Sequence, residues 1–165
     1  MKTAFLIGSS RSEGNTAQLL RLVADRFTSS TILNLNEYEI SVYDYEHANR
    51  HDDFLPLVER LIQFDHIVFV TPVYWYAMSA QLKIFFDRFS DLLTIEKDLG
   101  RRLRGINCSV ISTGSWEYPP SCFEEVFKLT FKYLGMNYQG LLYCPVENEV
   151  VPSNTVPSIN KYMEQ

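Results

Sequence analysis

The sequence predicts an α/β fold in which a parallel sheet is covered by helices on both faces. Short, continuously apolar runs alternate along the chain with stretches of helical period, and the central runs, such as HIVFV at 66–70, are apolar at nearly every position. Strands buried on both faces read this way, whereas strands with one wet face alternate. The length, 165 residues of which 46% are hydrophobic, suits one domain over 1–165 with a substantial core.

Each element has its own signature. TAFLI at 3–7 is too short for a helix and reads as the first strand, and 15–27 then places Leu19, Leu20, Val23 and Phe27 on one helical face. TILNL at 31–35 is a weaker second strand. It runs into YEISVYDYEHANR, where tyrosines and acids follow no helical period and a loop is expected. Asp53 is placed to cap the next helix, with Pro56 in its first turn and Leu57, Val58, Leu61 and Ile62 turned inward. HIVFV is the third strand. After it, Ser79 is placed to cap a helix whose Leu82, Phe85, Phe86 and Phe89 share one face. NCSVIS at 107–112 is the fourth strand. TGSWEYPP forms a loop, and SCFE at 121–124 has the Ser-x-x-Glu pattern of a capping box ahead of Phe123, Phe127, Phe131 and Leu134. Gly135 is placed as a left-handed stop, YQGLLYC at 138–144 is the fifth strand, and a polar, proline-bearing tail is expected from about 146.

Composition narrows the function classes. Fifteen Lys and Arg against 20 Asp and Glu leave a net charge of −5, with no general attraction for nucleic acid or an anionic membrane surface. MKTAFLIG lacks the long apolar core and small-residue cleavage site of a secretory leader, and reads as a strand. Cys108, Cys122 and Cys144 are odd in number, widely spaced and without a CxxC pair. That argues against a disulfide framework or a metal knuckle and for a reducing cytoplasm. No GxSxG elbow anchors hydrolase chemistry.

In an open parallel sheet, ligands bind beyond the carboxyl ends of the strands, so the loops starting at Gly8, Thr71 and Thr113 should share one rim. The first loop, GSSRSEGNT at 8–16, is neither of two familiar phosphate cradles. Asn15 stands where a Walker A loop needs Lys, and Ser10 stands where the dinucleotide fingerprint needs its second Gly. What remains is a turn rich in donors: the hydroxyls of Ser9, Ser10, Ser12 and Thr16, the Asn15 amide, Arg11, and the N–H groups of a helix start. It suits a terminal phosphate monoester, or it is simply a helix cap, with Asn15 as N-cap and Gln18 three residues on. The second loop places Tyr74, Trp75 and Tyr76 in a row after a strand; adjacent aromatics cannot all face one core, and a flat conjugated ligand would account for them.

Together, GSSRSEGNT and TPVYWYAMSAQLKIFFDR at 71–88 resemble the flavodoxin-like NAD(P)H-dependent oxidoreductases, also called NADPH-dependent FMN reductases. The resemblance spans roughly the first 115 residues in element order. It implies a three-layer α/β/α sandwich with five parallel strands in the order 2-1-3-4-5, FMN as cofactor and NAD(P)H as reductant. By position it makes Ser9, Arg11, Asn15 and Thr16 the phosphate site, with Ser10 and Gly14 shaping the turn. Pro72, Val73, Tyr74, Trp75 and Tyr76 become the edge and face of the flavin pocket, and Ser112, Thr113, Gly114 and Ser115 a third flavin loop, with Trp116 and Tyr118 beside it as a substrate lid. The activity implied is hydride transfer from nicotinamide to flavin and onward to a quinone, a nitro or azo aromatic, or free flavin. No side chain need serve as obligatory acid or base. A non-enzymatic flavodoxin-like electron carrier is the alternative, and a homodimer or homotetramer is the expected assembly.

Other polar groups read as structural. Lys83, Asp87 and Arg88 fit helix packing or a subunit contact; His47 and His51, with Asp52 and Asp53, fit a solvated loop better than a metal site; and the cysteines lie in or near apolar segments.

Overall fold

The computed structural model describes residues 1–146 and 155–163. Five strands, β1 (Thr3–Ile7), β2 (Ser30–Asn34), β3 (His66–Pro72), β4 (Asn107–Gly114) and β5 (Asn137–Pro145), pair in parallel in the order β2-β1-β3-β4-β5. This is the flavodoxin-like order. The pairing register sets Ile7 beside Val70 and Pro72 beside Thr113, so the loops after β1, β3 and β4 emerge along one rim.

Helices cover both faces. On one, α1 (Asn15–Ala24) and α7 (Thr155–Met163) pack with Phe5, Val68 and Ile111; on the other, α2 (Phe54–Leu61), α3 (Ala80–Asp87) and α6 (Ser121–Leu134) pack with Leu6, Phe69 and Val110. The second face is built largely of phenylalanine: Phe69 stacks on Phe131 at 5.0 Å, and Phe86 meets Phe127 edge-on at 5.5 Å. Such pairs contribute roughly 0.5–1.5 kcal/mol each beyond the area they bury. Between α3 and β4 the chain forms two short helices, α4 (Asp91–Thr94) and α5 (Lys97–Arg101).

Three of the expected helix starts differ in detail. Asn15 is the first helical residue, and Gly14 occupies the N-cap with no side-chain bond. Pro120 precedes α6, so Ser121 closes no capping box; Glu124 instead accepts from the Tyr138 hydroxyl and pairs with Lys128. Asp53 stands at the N-cap of α2, but it is Asp52 Oδ1 that accepts from Phe54 N, while Asp53 accepts from Glu39 N. Ser79 caps α3 and Gly135 ends α6 at φ +74°, both as read from the sequence.

The tail is corrected in part. Residues 147–154 and 164–165 lie outside the described residues, but 155–163 form α7, whose Ile159 and Tyr162 are buried on the sheet. The Tyr162 hydroxyl bonds Ser109 Oγ, which lies 2.8 Å from His66 Nε2. Burial holds the His66 imidazole below its ordinary pKa and so neutral.

Arg88 packs inside the fold rather than on the helix surface. It is 0% exposed, sits 4.9 Å over the Phe54 ring, and binds both Asp91 (2.7 Å) and Asp52. Asp91 also meets His47 Nδ1 at 2.9 Å, so His47 is anchored rather than solvated. Arg88 Nη1 donates to the Ser41 carbonyl as well. This buried cluster fastens the aperiodic segment 38–53 to the body of the fold. Lys83 and Asp87 form an exposed i, i+4 pair.

Candidate functional site

The rim is welded together by hydroxyl groups. Gly8 N continues the ladder to Val70 O at 2.9 Å, and the Gly8 carbonyl accepts from Ser79 Oγ at 2.7 Å. Ser79 N donates to Thr71 Oγ1, and Ser112 Oγ donates to the Thr71 carbonyl. These bonds tie the starts of all three loops together without any side chain entering the space above. Gly8 must be glycine for want of room: a Cβ there would lie 2.8 Å from Leu82 Cβ and 3.0 Å from Leu82 N. Asn36, just beyond β2, donates its amide to the Ser9 carbonyl at 2.7 Å. Neither that role nor the bridging by Ser79 was visible in the sequence, though the Asn34-x-Asn36 pair, which forms a local turn through Asn34 Oδ1, is a signal that could have drawn notice.

Above these bonds lies a cavity of about 580 Å³, within the usual range for small-molecule sites. From the first loop it is lined by Ser9, Ser10, Arg11, Gly14, Asn15 and Thr16; from the second by Pro72, Val73 and Tyr74; from the third by Thr113, Gly114 and Ser115, with Val146 at its edge. Twelve of the fifteen sequence-predicted residues thus converge on one space. Trp75 and Tyr76 do not line it, and Ser112 is buried beneath it. Thr16 and Thr113 are joined across it, hydroxyl to hydroxyl, at 2.7 Å, and Ser10 Oγ lies 3.4 Å from the Tyr74 hydroxyl.

Part of the cavity lining is electropositive. The first turn of α1 has no side-chain cap and no acidic residue, so its N–H groups and the positive end of the helix face the loop. Arg11 adds a full positive charge there, and no carboxylate, histidine, lysine or cysteine is among the lining residues. The rest of the lining comes from Pro72, Val73 and Tyr74 after β3 and from Thr113, Gly114 and Ser115 after β4. Gly114 is required at its position because a Cβ would meet the Tyr143 hydroxyl at 2.7 Å. That hydroxyl donates to the Trp116 carbonyl, and burial raises its pKa, so it stays protonated and holds the third loop in place.

Trp75 and Tyr76 form the centre of a two-residue turn closed by Tyr74 N to Ala77 O (2.9 Å) and Ala77 N to Tyr74 O (3.0 Å). Both have positive φ, +47° and +68°. That turn favours Asn-Gly, and bulky side chains there are strained. The strain holds Trp75 out in solvent, 89% exposed, and lays Tyr76 on Trp116 at 5.5 Å. Strain kept in this way clusters at ligand-binding segments.

The sequence model of a family described as NADPH-dependent FMN reductase matches residues 1–148. The Bacillus subtilis (strain 168) protein YwqN, whose name places it among NAD(P)H-dependent FMN-containing oxidoreductases, is 31% identical over 150 residues, 85% of this chain and 82% of its own. Among solved structures, the Trp repressor binding protein from Bacillus subtilis superposes with a TM-score of 0.77 at 23% identity, over 98% of this chain and 95% of that one. An FMN-dependent NADH-azoreductase from Bacillus anthracis str. Ames Ancestor, in complex with FMN, gives 0.71 at 13% identity, over 99% and 97%. At these identities the two structural likenesses speak to fold.

Proposed function

Because the chain belongs to the NADPH-dependent FMN reductase family, we propose that the rim cavity is its FMN site and that the protein passes electrons from NAD(P)H through FMN to a flat acceptor. One observation carries the assignment: the family-like loops, far apart in sequence, close on a single cavity that has an uncapped helix start and Arg11 on its wall and no carboxylate among its described lining residues.

The residues present fit the group. Ser9, Ser10, Asn15 and Thr16 supply hydroxyl and amide donors for phosphate oxygens, the first turn of α1 supplies backbone N–H groups, and Arg11 balances the charge. Gly14 keeps that turn open. Pro72, Val73 and Tyr74 on one side and Thr113 and Gly114 on the other bound the space for the ring system. Bound there, FMN would supply the redox chemistry, taking two electrons from a reduced nicotinamide and releasing them to an acceptor. With no carboxylate, imidazole, amine or thiol on the described lining, the protein's part is to bind, orient and exclude water. Trp75, Tyr76 and Trp116 give the mouth an aromatic ledge suited to a quinone, a nitro or azo aromatic, or free flavin.

The further expectations, a cytoplasmic location and a homodimeric or homotetrameric assembly, accompany this reading. No helix among the described residues is long and apolar enough to cross a membrane. The test is to load the purified chain with FMN, then mix it anaerobically with NADH and NADPH in separate experiments. Bleaching of the flavin band and its return on adding a quinone support the reading. Flavin that binds but is reduced by neither nicotinamide would make the protein an electron carrier, and a chain that binds no FMN would remove the site assignment.

A further inference from the structure

A second cavity, of about 540 Å³, lies beside the first. The two share a wall. Ser115 lines the first and Glu117 the second, and Val146 borders the first while Pro145 borders the second. The second cavity straddles the outer edge of the sheet, since Leu141 and Tyr143 pack with one half of the core and Leu142 and Cys144 with the other. β5 is the last strand of the sheet, so backbone N–H and C=O groups along that edge have no strand partner.

The lining differs in kind from that of the first cavity, because it brings an aromatic ring, a carboxylate and a cation together. Tyr118 is 72% exposed, which leaves its ring open to a flat partner. Glu124 is already engaged, accepting from the Tyr138 hydroxyl and pairing with Lys128, whereas Glu117 is exposed beside the Tyr118 hydroxyl. Lys161, on α7, is the one cation among the described lining residues, and Ser158, a turn earlier, adds a hydroxyl. These groups are the complements of an adenylate. A purine stacks on an aromatic side chain, its exocyclic amine donates to a carboxylate, its ring nitrogens accept from N–H and O–H donors, and its phosphate pairs with a cation.

On the reading of the first cavity as a flavin site reduced by NAD(P)H, we infer that the second cavity receives the adenylate half of that reductant while the nicotinamide half enters the first. Tyr118 carries the adenine ring and Glu117 accepts from its amine. Arg11 and Lys161 are the only cations on the described linings of the two cavities; with Arg11 serving the flavin phosphate, Lys161 meets the reductant's diphosphate. Tyr143 fixes the wall between them: it lines the second cavity, while its hydroxyl holds the Trp116 carbonyl and abuts Gly114 of the first. The two halves of the reductant thus meet surfaces set by one residue.

Calorimetric titration of AMP into the FMN-loaded chain reads the adenylate alone, without turnover, and should give a Kd of about 1 mM or below. Tyr118→Ala and Lys161→Ala, both at exposed positions, should each weaken AMP about tenfold, with FMN affinity and circular dichroism unchanged. Steady-state oxidation then compares NADH with dihydronicotinamide mononucleotide, which lacks the adenylate half. NADH should have the lower KM, by about tenfold, and both substitutions should raise the KM for NADH and close that gap. Failure of AMP to bind, AMP binding that neither substitution touches, or equal KM values for the two reductants in wild type would each overturn the proposal. A loaded chain that binds AMP through Tyr118 and Lys161 yet oxidises neither reductant would overturn the functional reading instead, while supporting the adenylate site itself.

Discussion

Replacing Trp75 by glycine should make the protein more stable and its site worse. In the present turn, Trp75 holds φ at +47° while its side chain is 89% exposed, so the substitution removes strain and sacrifices almost no packing. A left-handed conformation costs a non-glycine residue about 1–2 kcal/mol. Glycine returns about 0.5–1 kcal/mol of that through the greater freedom of the unfolded chain. The net gain is ~0.5–1 kcal/mol, or about 1–4 °C in Tm for a chain of this size. Differential scanning calorimetry of the FMN-free protein measures it. Steady-state rates with a quinone should fall through KM, because the ledge loses its projecting ring, while FMN affinity stays close to wild type since Trp75 does not line the cavity. A Tm that drops by several degrees would show that Trp75 is a packing residue, and the strain reasoning would be wrong.

Further outcomes follow from the same contacts. Arg11→Ala removes the cation from the cavity wall and should weaken FMN binding roughly 10- to 100-fold, with a shallower dependence on salt, read by fluorescence titration. Gly8→Ala drives a methyl group against Leu82 Cβ and backbone N; it should cost about 1–3 kcal/mol in urea unfolding and loosen FMN with it. Arg88→Met leaves Asp52 and Asp91 without their cation and should cost about 3–5 kcal/mol near neutral pH. The pH dependence changes with it. In wild type, burial pushes the Asp52 pKa up, but the hydrogen bonds from Arg88, Ser41 N and Phe54 N outweigh it and hold the carboxyl below its usual 3.8. Its contribution is therefore present above that value and lost as pH falls through the lower, folded one. In Arg88→Met the stranded carboxylates gain by protonation, so the deficit relative to wild type should shrink on acidification; denaturant midpoints from pH 7 down to pH 3 would show it, and a constant deficit would contradict it.

The sheet was legible because buried parallel strands leave unbroken apolar runs, and β1, β3 and β4 fall where TAFLI, HIVFV and NCSVIS stand. The candidate site was legible for a different reason: its residues cluster in loops directly after those strands, so the topology had only to bring three short segments to one rim. What could not be read depends on partners distant in the chain. Arg88 fits helix packing, but its partners were hidden because the Asp52 that it binds stands 36 residues earlier, across an aperiodic segment. Ser79 looked like a cap and is also the link to Gly8, 71 residues away. Helices α4 and α5 were missed since each is only a turn or so long, and Gly100, which interrupts the pattern, is held by close contact with Leu92 rather than by a turn. Helix α7 shows too few apolar positions to announce itself; Ile159 and Tyr162 are its chief anchors. Trp75 and Tyr76 were rightly read as too adjacent for one core, but the strained turn that points them away from the cavity is a backbone property that residue type alone does not disclose.

We assign the phosphate end of the flavin site to the GSSRSEGNT loop and the start of α1. It is tested most directly by comparing FMN with riboflavin, which lacks the phosphate, in fluorescence titrations of the apoprotein. Wild type should bind FMN at least about 100-fold more tightly than riboflavin, as several charge-assisted bonds would require. In Asn15→Ala and Thr16→Ala the preference should narrow while riboflavin affinity holds. Equal affinity for the two flavins in wild type, or a preference that these substitutions leave untouched in folded protein, would contradict it.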